Sequence, residues 1–204
     1  MPKSAHKDTF ALENLPDKSL WPDLILDHPR ATYPERLNAS YELLERTIES
    51  VGPNKSAIIA ADGNFTYGEL LELVNQISNY LISQGVQSGN RIAIRSPNNA
   101  MAVAIWLAIL RVGAIAVTTI PLQRAVELAK IVEIGQIQFA LVDHRFIEEW
   151  AAIPNYSGKT LIVGGENGIN QEVEKQSKEF EVCDTASDDV SIFAFTSGST
   201  GVPK

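Results

Sequence analysis

Short apolar runs alternate with helix-period patterns along most of the chain. Apolar positions at helical spacing predict a helix over residues 70–81, which a capping box of Thr66 and Glu69 should open and which should end near Gly85. The predicted strands, which are short runs rich in β-branched residues, cover residues 56–61, 91–95, 114–120, 139–142, 160–163 and 190–195. Two further helical patterns cover residues 100–110 and 125–134. This alternation predicts the α/β fold class, with a mostly parallel sheet flanked by helices.

The segments on either side of this pattern are more polar. Prolines recur through the first 34 residues, which favours an extended arm over regular structure. Apolar positions then recur at helical spacing from Tyr41 to Val51, and Gly52 should stop that helix. The acidic stretch of residues 166–181 is predicted to form a surface helix. We therefore divide the chain into an irregular N-terminal arm, residues 1–36, and an α/β domain, residues 37–204.

Composition and charge narrow the range of partners. The 204 residues are 45% hydrophobic and 21% charged, which is typical of a globular protein, and the net charge is -8. Nucleic acids and anionic membranes need clustered cations, so neither is expected as the main partner. The chain begins without the apolar core of a secretory signal, and Arg111 interrupts the most apolar stretch, so we predict no membrane span. We expect a cytoplasmic protein; its single cysteine, Cys183, cannot form an internal disulfide.

The segment FTSGSTGVPK, residues 195–204, carries the most informative chemistry. Four hydroxyl side chains and two glycines follow a predicted strand, and a lysine ends the run. Glycines let the backbone approach an anion, hydroxyl and amide groups donate hydrogen bonds, and the lysine adds positive charge. A solvated Gly/Ser turn would have a similar composition. The Walker spacing is absent, because Val202 and Pro203 separate Gly201 from Lys204, so P-loop NTPase chemistry is disfavoured.

This segment resembles the signature loop of the acyl-adenylate-forming superfamily, which includes acyl-CoA synthetases, luciferases and the adenylation domains of peptide synthetases. Residues 65–70, FTYGEL, and residues 110–114, LRVGA, resemble two earlier motifs of that family in the same order, although each also has a structural explanation. The resemblance implies the first part of the large N-terminal domain of an acyl-CoA synthetase-like fold. Residues 37–204 would then be a partial AMP-binding (adenylation) domain, truncated inside the phosphate-binding loop.

The resemblance also implies the reaction of an AMP-forming acid–thiol ligase. A carboxylate attacks the α-phosphate of ATP to give an acyl-adenylate, and a thiol, usually coenzyme A, then displaces AMP. The implied ATP-phosphate ligands are Thr196, Ser197, Gly198, Ser199, Thr200, Gly201 and Lys204, and Thr200 is also a candidate Mg²⁺ ligand. No catalytic residue is assigned, because the family's ribose-binding aspartate and catalytic lysine come later in the chain. We expect the 204 residues alone to make no acyl-adenylate.

Four further segments resemble ligases that load benzoate or 2-aminobenzoate onto coenzyme A. They are Trp21-Pro22, residues 33–38, residues 96–99, and residues 120–122 together with Arg124 and Glu127. An aromatic, benzoate-like acid is therefore the expected substrate. Two other interpretations stay open: a non-catalytic interaction or regulatory module (or decayed gene product) that keeps half of the fold, and an unrelated nucleotide-binding protein that uses the loop by coincidence.

The remaining polar residues are predicted to have structural roles. His6, His28 and His144 are far apart in sequence and should be surface or structural histidines. Asp143 and His144 end a strand, where sites often lie in open sheets, but one such pair is weak support for a site. Residues 188–189, both aspartates, should form a solvated turn.

Overall fold

The structure is a computed structural model that describes residues 3–23 and 32–196. The described helices are α1 (Phe10–Glu13), α2 (Ala39–Leu43), α3 (Glu45–Val51), α4 (Tyr67–Ser83), α5 (Ala100–Arg111), α6 (Ala125–Gly135), α7 (Ile147–Ala151) and α8 (Asn170–Glu174). The described strands are β1 (Ser56–Ala60), β2 (Gly63–Thr66), β3 (Arg91–Arg95), β4 (Ile115–Thr119), β5 (Phe139–Asp143), β6 (Lys159–Val163) and β7 (Ile192–Phe193). Helices and strands alternate from α4 onward.

A parallel sheet in the order β6-β5-β3-β4-β7 forms the centre of the fold. Successive side chains of β3 point to opposite faces: Ile92 and Ile94 pack with α4 and α5, whereas Ala93 packs with α6 and α7. Both faces are therefore covered, which explains why the middle of β3, residues 92–94, is apolar on both faces. The α/β class, with a mostly parallel sheet flanked by helices, is confirmed.

A two-stranded hairpin leads into α4. β1 and β2 pair in antiparallel fashion, and the predicted capping box is present at the end of β2. The Thr66 hydroxyl accepts a hydrogen bond from the Glu69 amide at 3.2 Å, and the Glu69 carboxylate accepts one from the Thr66 amide at 2.8 Å. The FTYGEL motif is thus a strand-to-helix junction in this chain.

The LRVGA motif forms the turn between α5 and β4. Gly113 has φ +72°, and a Cβ atom built there would lie 2.6 Å from the Cys183 sulfur. Only glycine fits this position without a shift of its neighbours. Cys183 itself is half-buried, and burial raises the pKa of its thiol.

Three predicted elements differ from the structure. The helix predicted from Tyr41 to Val51 breaks at Leu44, which turns into the core at 1% exposure and separates α2 from α3. The buried strand predicted for residues 190–195 is only the two residues of β7, and Ile192 is 43% exposed. The surface helix predicted for residues 166–181 is reduced to α8, whose Val173 is buried.

The irregular part of the 166–181 segment is held by amide side chains of α4. Asn75 donates to the Lys178 carbonyl at 2.7 Å, and Gln76 donates to the Glu174 carbonyl at 2.9 Å. Asn79 donates to the carbonyls of residues 177 and 179, both at 2.9 Å. Because these carbonyls are satisfied from outside, the segment does not need helical hydrogen bonds.

The described part of the N-terminal arm lies against the loop that precedes β3. The amides of Lys7 and Asp8 donate to the Ser88 carbonyl at 3.1 and 3.0 Å. The Asp8 carboxylate lies 2.6 Å from the guanidinium of Arg91, and the Phe10 ring stacks on that guanidinium at 4.4 Å. The arm contains the short helix α1 and a 3₁₀ turn, Lys18–Leu20, so it is less irregular than expected. Its boundary at residue 36 stays a prediction.

None of the helices within residues 3–23 and 32–196 is long and apolar enough to cross a membrane. The apolar stretch after residue 100 is divided between α5 and β4, and both elements are buried in the core.

Buried His6 is expected to make stability depend on pH. His6 is 8% exposed and its Nδ1 has no hydrogen-bond partner among the described residues. Burial lowers the pKa of His6, although the nearby carboxylates of Asp189 and Asp8 oppose that effect. The unfolded chain therefore takes up this proton at a higher pH than the folded chain, so stability is lost as pH falls below about 6.5. His6→Gln should reduce the fall in the free energy of unfolding between about pH 7 and 5, because glutamine takes up no proton in either state. Equal slopes in urea titrations of His6→Gln and the unchanged protein would contradict this.

Candidate functional site

The carboxyl-terminal edge of the sheet is the candidate site. All five strands run in the same direction, so their carboxyl ends meet at one edge, where ligands bind in open α/β sheets. β3 ends at Arg95 and β4 ends at Thr119, while β7 leads towards Thr196 at the same edge. Ser96 to Asn99, one of the segments that resembles benzoate-type ligases, follows β3 directly.

A cavity of about 460 Å³ opens at this edge between the β1–β2 hairpin and α5. Its apolar walls come from Ile58, Ala60, Val103 and Trp106, and its polar rim includes Ser96 and Thr118. Apolar walls with a few polar groups are typical of a site for a small organic molecule.

Two side chains fix the rim of this cavity to α5. The Asn99 side-chain oxygen accepts a hydrogen bond from the Ala102 amide at 2.9 Å and caps α5. The Asp62 carboxylate, at the tip of the hairpin, accepts from the Ala100 amide at 3.1 Å. The hairpin and the helix are therefore joined at the mouth of the cavity. The sequence pattern does not indicate this contact, because Asp62 and Ala100 lie 38 residues apart.

Arg95 fixes the loop that follows β4. Its side chain is 1% exposed, and its guanidinium donates to the carbonyls of Ile120, Pro121 and Gln123 at 2.9 Å. Burial lowers the pKa of Arg95, and the charge is distributed over carbonyl oxygens instead of being paired with a carboxylate in contact. Sequence analysis missed this role because the carbonyl acceptors come from a loop 25 residues or more away.

Arg124 and Glu127 follow the loop after β4 and lie at the same edge of the sheet. The Glu127 carboxylate accepts from the Arg124 amide at 2.8 Å, and the Arg124 guanidinium lies 2.7 Å from Glu149. The hydrogen bond from Arg124, together with one from the Ala125 amide, lowers the pKa of Glu149. The Arg124 side chain is 77% exposed, so its cation remains accessible to solutes.

The four segments that resemble benzoate-type ligases do not all come together. Residues 96–99 and 120–124 share the carboxyl edge. Trp21 instead donates to the Pro16 carbonyl within the arm at 2.8 Å, and Arg36 forms a β-bridge with Ala186.

Asp143 and His144 are held by contacts with neighbouring residues, which is a structural role. Asp143 is buried and accepts two hydrogen bonds at 2.8 Å from the Arg145 guanidinium, which lower its pKa. His144 Nδ1 lies 3.5 Å from the same carboxylate. The His144 ring packs against Gly164 and Gly165, where a Cβ atom would approach the ring to 3.1 Å. The buried carboxylate is thus already satisfied by Arg145.

Of the predicted phosphate ligands, the structure describes Thr196 alone, which is exposed and follows β7 at the carboxyl edge. Ser197, Gly198, Ser199, Thr200, Gly201 and Lys204 lie outside the described residues, as does His28. The assignment of these residues to ATP and Mg²⁺ stays a prediction.

A larger cavity, of about 650 Å³, lies at the opposite edge of the sheet between α6 and residues 154–159. It is lined by residues at the amino-terminal ends of strands, including Arg91 and Lys159. Within residues 3–23 and 32–196, none of the segments that carry the family resemblance lines it, so size alone does not make it the candidate site.

Comparisons with known proteins show which family and which proteins the chain is similar to. Residues 44–204 match the family described as AMP-binding enzyme. An uncharacterized acyl-CoA ligase, YtcI of Bacillus subtilis, is 27% identical over 76% of this chain and 31% of its own length. A medium/long-chain-fatty-acid–CoA/3-oxocholest-4-en-26-oate–CoA ligase of Mycolicibacterium smegmatis is 27% identical over 80% of this chain and 32% of its own length.

The fold is also similar to solved structures. The anthranilate CoA ligase AuaEII in complex with anthranoyl-AMP superposes with a TM-score of 0.77 at 24% identity, over 84% of this chain and 34% of that one. The fold is therefore that of the N-terminal domain of acyl-CoA ligases. The chain spans about a third of the length of these two curated relatives.

Proposed function

Because the chain belongs to the AMP-binding enzyme family, we propose that its protein activates a carboxylic acid with ATP and transfers the acyl group to coenzyme A. In the first step, a carboxylate oxygen bonds to the α-phosphorus of ATP and pyrophosphate leaves. In the second step, the thiol of coenzyme A attacks the acyl carbon and AMP leaves. The products are an acyl thioester, AMP and pyrophosphate. The family match over residues 44–204 is the observation that carries this proposal.

The position of β7 supports an ATP-phosphate site at the carboxyl edge. β7 pairs with β4 in parallel, Val117 opposite Phe193, so the chain leaves the sheet at the edge where the cavity opens. The glycine- and hydroxyl-rich sequence begins within three residues of Phe193. Glycine-rich loops that follow a strand of a parallel sheet are suited to phosphate, because their amides can converge on an anion.

The chemistry of the loop residues fits the charge that develops in the first step. Negative charge accumulates on phosphate oxygens as pyrophosphate leaves, and preplaced donors stabilise it. We assign this role to the hydroxyls of Thr196, Ser197 and Ser199 and to the ammonium group of Lys204. Mg²⁺ would neutralise phosphate charge when bound, with Thr200 as a hydroxyl ligand. Because ATP and coenzyme A are cytoplasmic metabolites, we propose the cytoplasm as the location.

We propose an aromatic, benzoate-like acid as substrate. Two segments that resemble benzoate-type ligases, residues 96–99 and 120–124, share the edge with an apolar cavity lined by Trp106. The structural neighbour AuaEII binds anthranoyl-AMP. The relative from Mycolicibacterium smegmatis acts on fatty acids, so the decisive comparison sets benzoate and 2-aminobenzoate against a medium-chain fatty acid. A higher kcat/KM for the fatty acid would contradict the aromatic assignment.

Lys204→Ala is expected to reduce ATP–pyrophosphate exchange about 100-fold, because it removes one charged donor from the developing phosphate charge. The exchange is measured on the protein as its own cells make it, with ATP, Mg²⁺ and benzoate. Lys175→Ala is the matched control, because Lys175 is an exposed lysine at the end of α8. Exchange by the unchanged protein no greater than a blank, together with no shift in melting temperature on addition of ATP, would favour the non-catalytic interaction module instead.

A further inference from the structure

β7 is held weakly within the sheet. It has two residues, and it pairs with β4 on one side through Ala116 opposite Ile192 and Val117 opposite Phe193. A two-residue strand gains few ladder hydrogen bonds. Its register is also weakly specified by burial, because Ile192 is 43% exposed. Contacts outside the sheet must therefore contribute to fixing its position.

The residues immediately before β7 pair with the end of the N-terminal arm. Arg36 and Ala186 form an antiparallel bridge, and the Leu37 amide donates to the Thr185 carbonyl at 2.9 Å. The Ser187 amide donates to the Glu35 carbonyl at 3.0 Å, and the Thr185 hydroxyl donates to the Leu37 carbonyl at 2.6 Å. We name the three adjoining segments, residues 3–6, 35–38 and 183–191, the arm seam.

Two charged side chains connect all three segments of the arm seam. The Arg36 guanidinium lies 2.7 Å from the Asp184 carboxylate and donates to the Lys3 carbonyl at 2.6 Å. The Asp189 carboxylate accepts from the Ala5 amide at 3.0 Å and from the Ala186 amide at 2.9 Å. The turn predicted for residues 188–189 is present, since the Asp189 amide donates to the Ala186 carbonyl at 3.1 Å, and Asp188 is exposed as predicted. Asp189 is half-buried instead of solvated.

The first segment of the arm seam is itself fixed to the central sheet. The Ser88 hydroxyl donates to the Ala5 carbonyl at 2.6 Å, and Asp8 pairs with buried Arg91 at the start of β3. Asp8 also accepts from Asn90 at 3.0 Å. The arm seam therefore connects a rigid central strand to the segment that leads into β7.

We propose that the arm seam positions β7, and with it the start of the phosphate-binding loop, with Arg36 and Asp189 as its positioning residues. The effect on the loop rests on the function proposed above, whereas the effect on β7 does not. The contacts of both side chains given above are with groups of the arm seam. They act by setting where residues 190–196 leave the sheet, and a displacement of about 1 Å in a binding loop can cost up to about 100-fold in rate.

Amide hydrogen exchange tests the effect on β7 without any assay of activity. Asp189→Ala and Arg36→Ala are each expected to accelerate exchange in a peptide covering residues 190–195 about tenfold, and to leave a peptide covering β3 unchanged. Asp188→Ala is the matched control and should change neither peptide. Unchanged exchange in the 190–195 peptide, or equal acceleration in both peptides, would overturn the proposal. Asp189→Asn keeps one acceptor oxygen and should restore most of the protection.

The kinetics of ATP use test the effect on the loop. Asp189→Ala should raise the KM for ATP about tenfold in pyrophosphate exchange and change the KM for the acid by less than about twofold. Asp189→Asn should recover most of the affinity for ATP. An unchanged KM for ATP in a variant with accelerated β7 exchange would overturn the effect on the loop. If the natural protein shows no exchange activity but the hydrogen-exchange result is obtained, the proposed function is wrong and the positioning of β7 stands.

Discussion

Replacing Glu45 with alanine is expected to lower the free energy of unfolding by about 3 kcal/mol, because the substitution leaves a buried cation without its charge partner. Arg111, at the end of α5, is 2% exposed, and its Nη1 donates to Glu45 at 3.1 Å. Its Nε has no hydrogen-bond partner among the described residues, so the ion pair supplies most of what compensates the buried charge. Glu45 is 21% exposed, which places the expected loss at the lower end for buried pairs.

Urea denaturation of the single and double variants tests this prediction. Glu49→Ala, on the same helix but exposed and 3.7 Å from Arg46, should change stability by less than about 0.5 kcal/mol. Combining Glu45→Ala with Arg111→Met removes both charges and should recover much of the loss. A loss below about 1 kcal/mol in the single variant would mean that Arg111 is compensated by other groups.

Replacing Trp150 with alanine is expected to cost about 3–5 kcal/mol of stability. Trp150 is 2% exposed between β5 and α6, its ring meets Tyr156 edge to face at 5.2 Å, and its indole nitrogen donates to the Thr160 hydroxyl at 3.1 Å. The substitution empties a space in the smaller of the two core clusters and leaves the Thr160 hydroxyl without that donor.

Thermal and urea unfolding of Trp150 variants should separate packing from hydrogen bonding. Trp150→Phe keeps an aromatic ring and loses the indole donor, so it should cost less than half as much as the alanine substitution. Trp21→Ala is the matched control: Trp21 is 39% exposed on the arm and should cost less than about 1 kcal/mol. Similar losses for Trp21→Ala and Trp150→Ala would show that Trp150 does not anchor the core.

The central strands were predictable because the local sequence pattern of each one indicates that it is buried. Residues 92–94 are apolar on both faces, and their strand lies between the two helical patterns of residues 70–81 and 100–110. The capping box at Thr66 was predictable for the same reason, since both partners lie within one turn of helix.

The missed elements depend on distant contacts. α7 was not predicted: it has five residues and one buried side chain, Trp150, which is too short to show a period. The 166–181 segment is shaped by amides of α4 about 100 residues earlier in the chain, and α4 itself shows no sign of that role in its sequence pattern.

The candidate site likewise has one part that the sequence predicts and one part that it does not. The proposed phosphate-binding sequence is a prediction from residue types and spacing, because glycines, hydroxyls and a lysine are groups that a phosphate site uses. The cavity beside it cannot, because it requires the hairpin, α5 and β4 to meet, and Asp62 and Arg95 fix that meeting through non-local hydrogen bonds. Candidate binding residues could therefore be named from the sequence, whereas the residues that hold the cavity in place could not.

The arm seam can form only after residues 183–191 have been synthesised. Ala5 bonds to Asp189, which is added 184 residues later, so the first residues to leave the ribosome are among the last to reach their final contacts. Until then the arm has its contacts with Ser88 and Arg91 but lacks those with Asp184 and Asp189, so it is more accessible to proteases than in the folded protein. A ribosome-bound chain that stops before residue 183 should therefore be cut near its amino terminus at a protease concentration that the released protein resists.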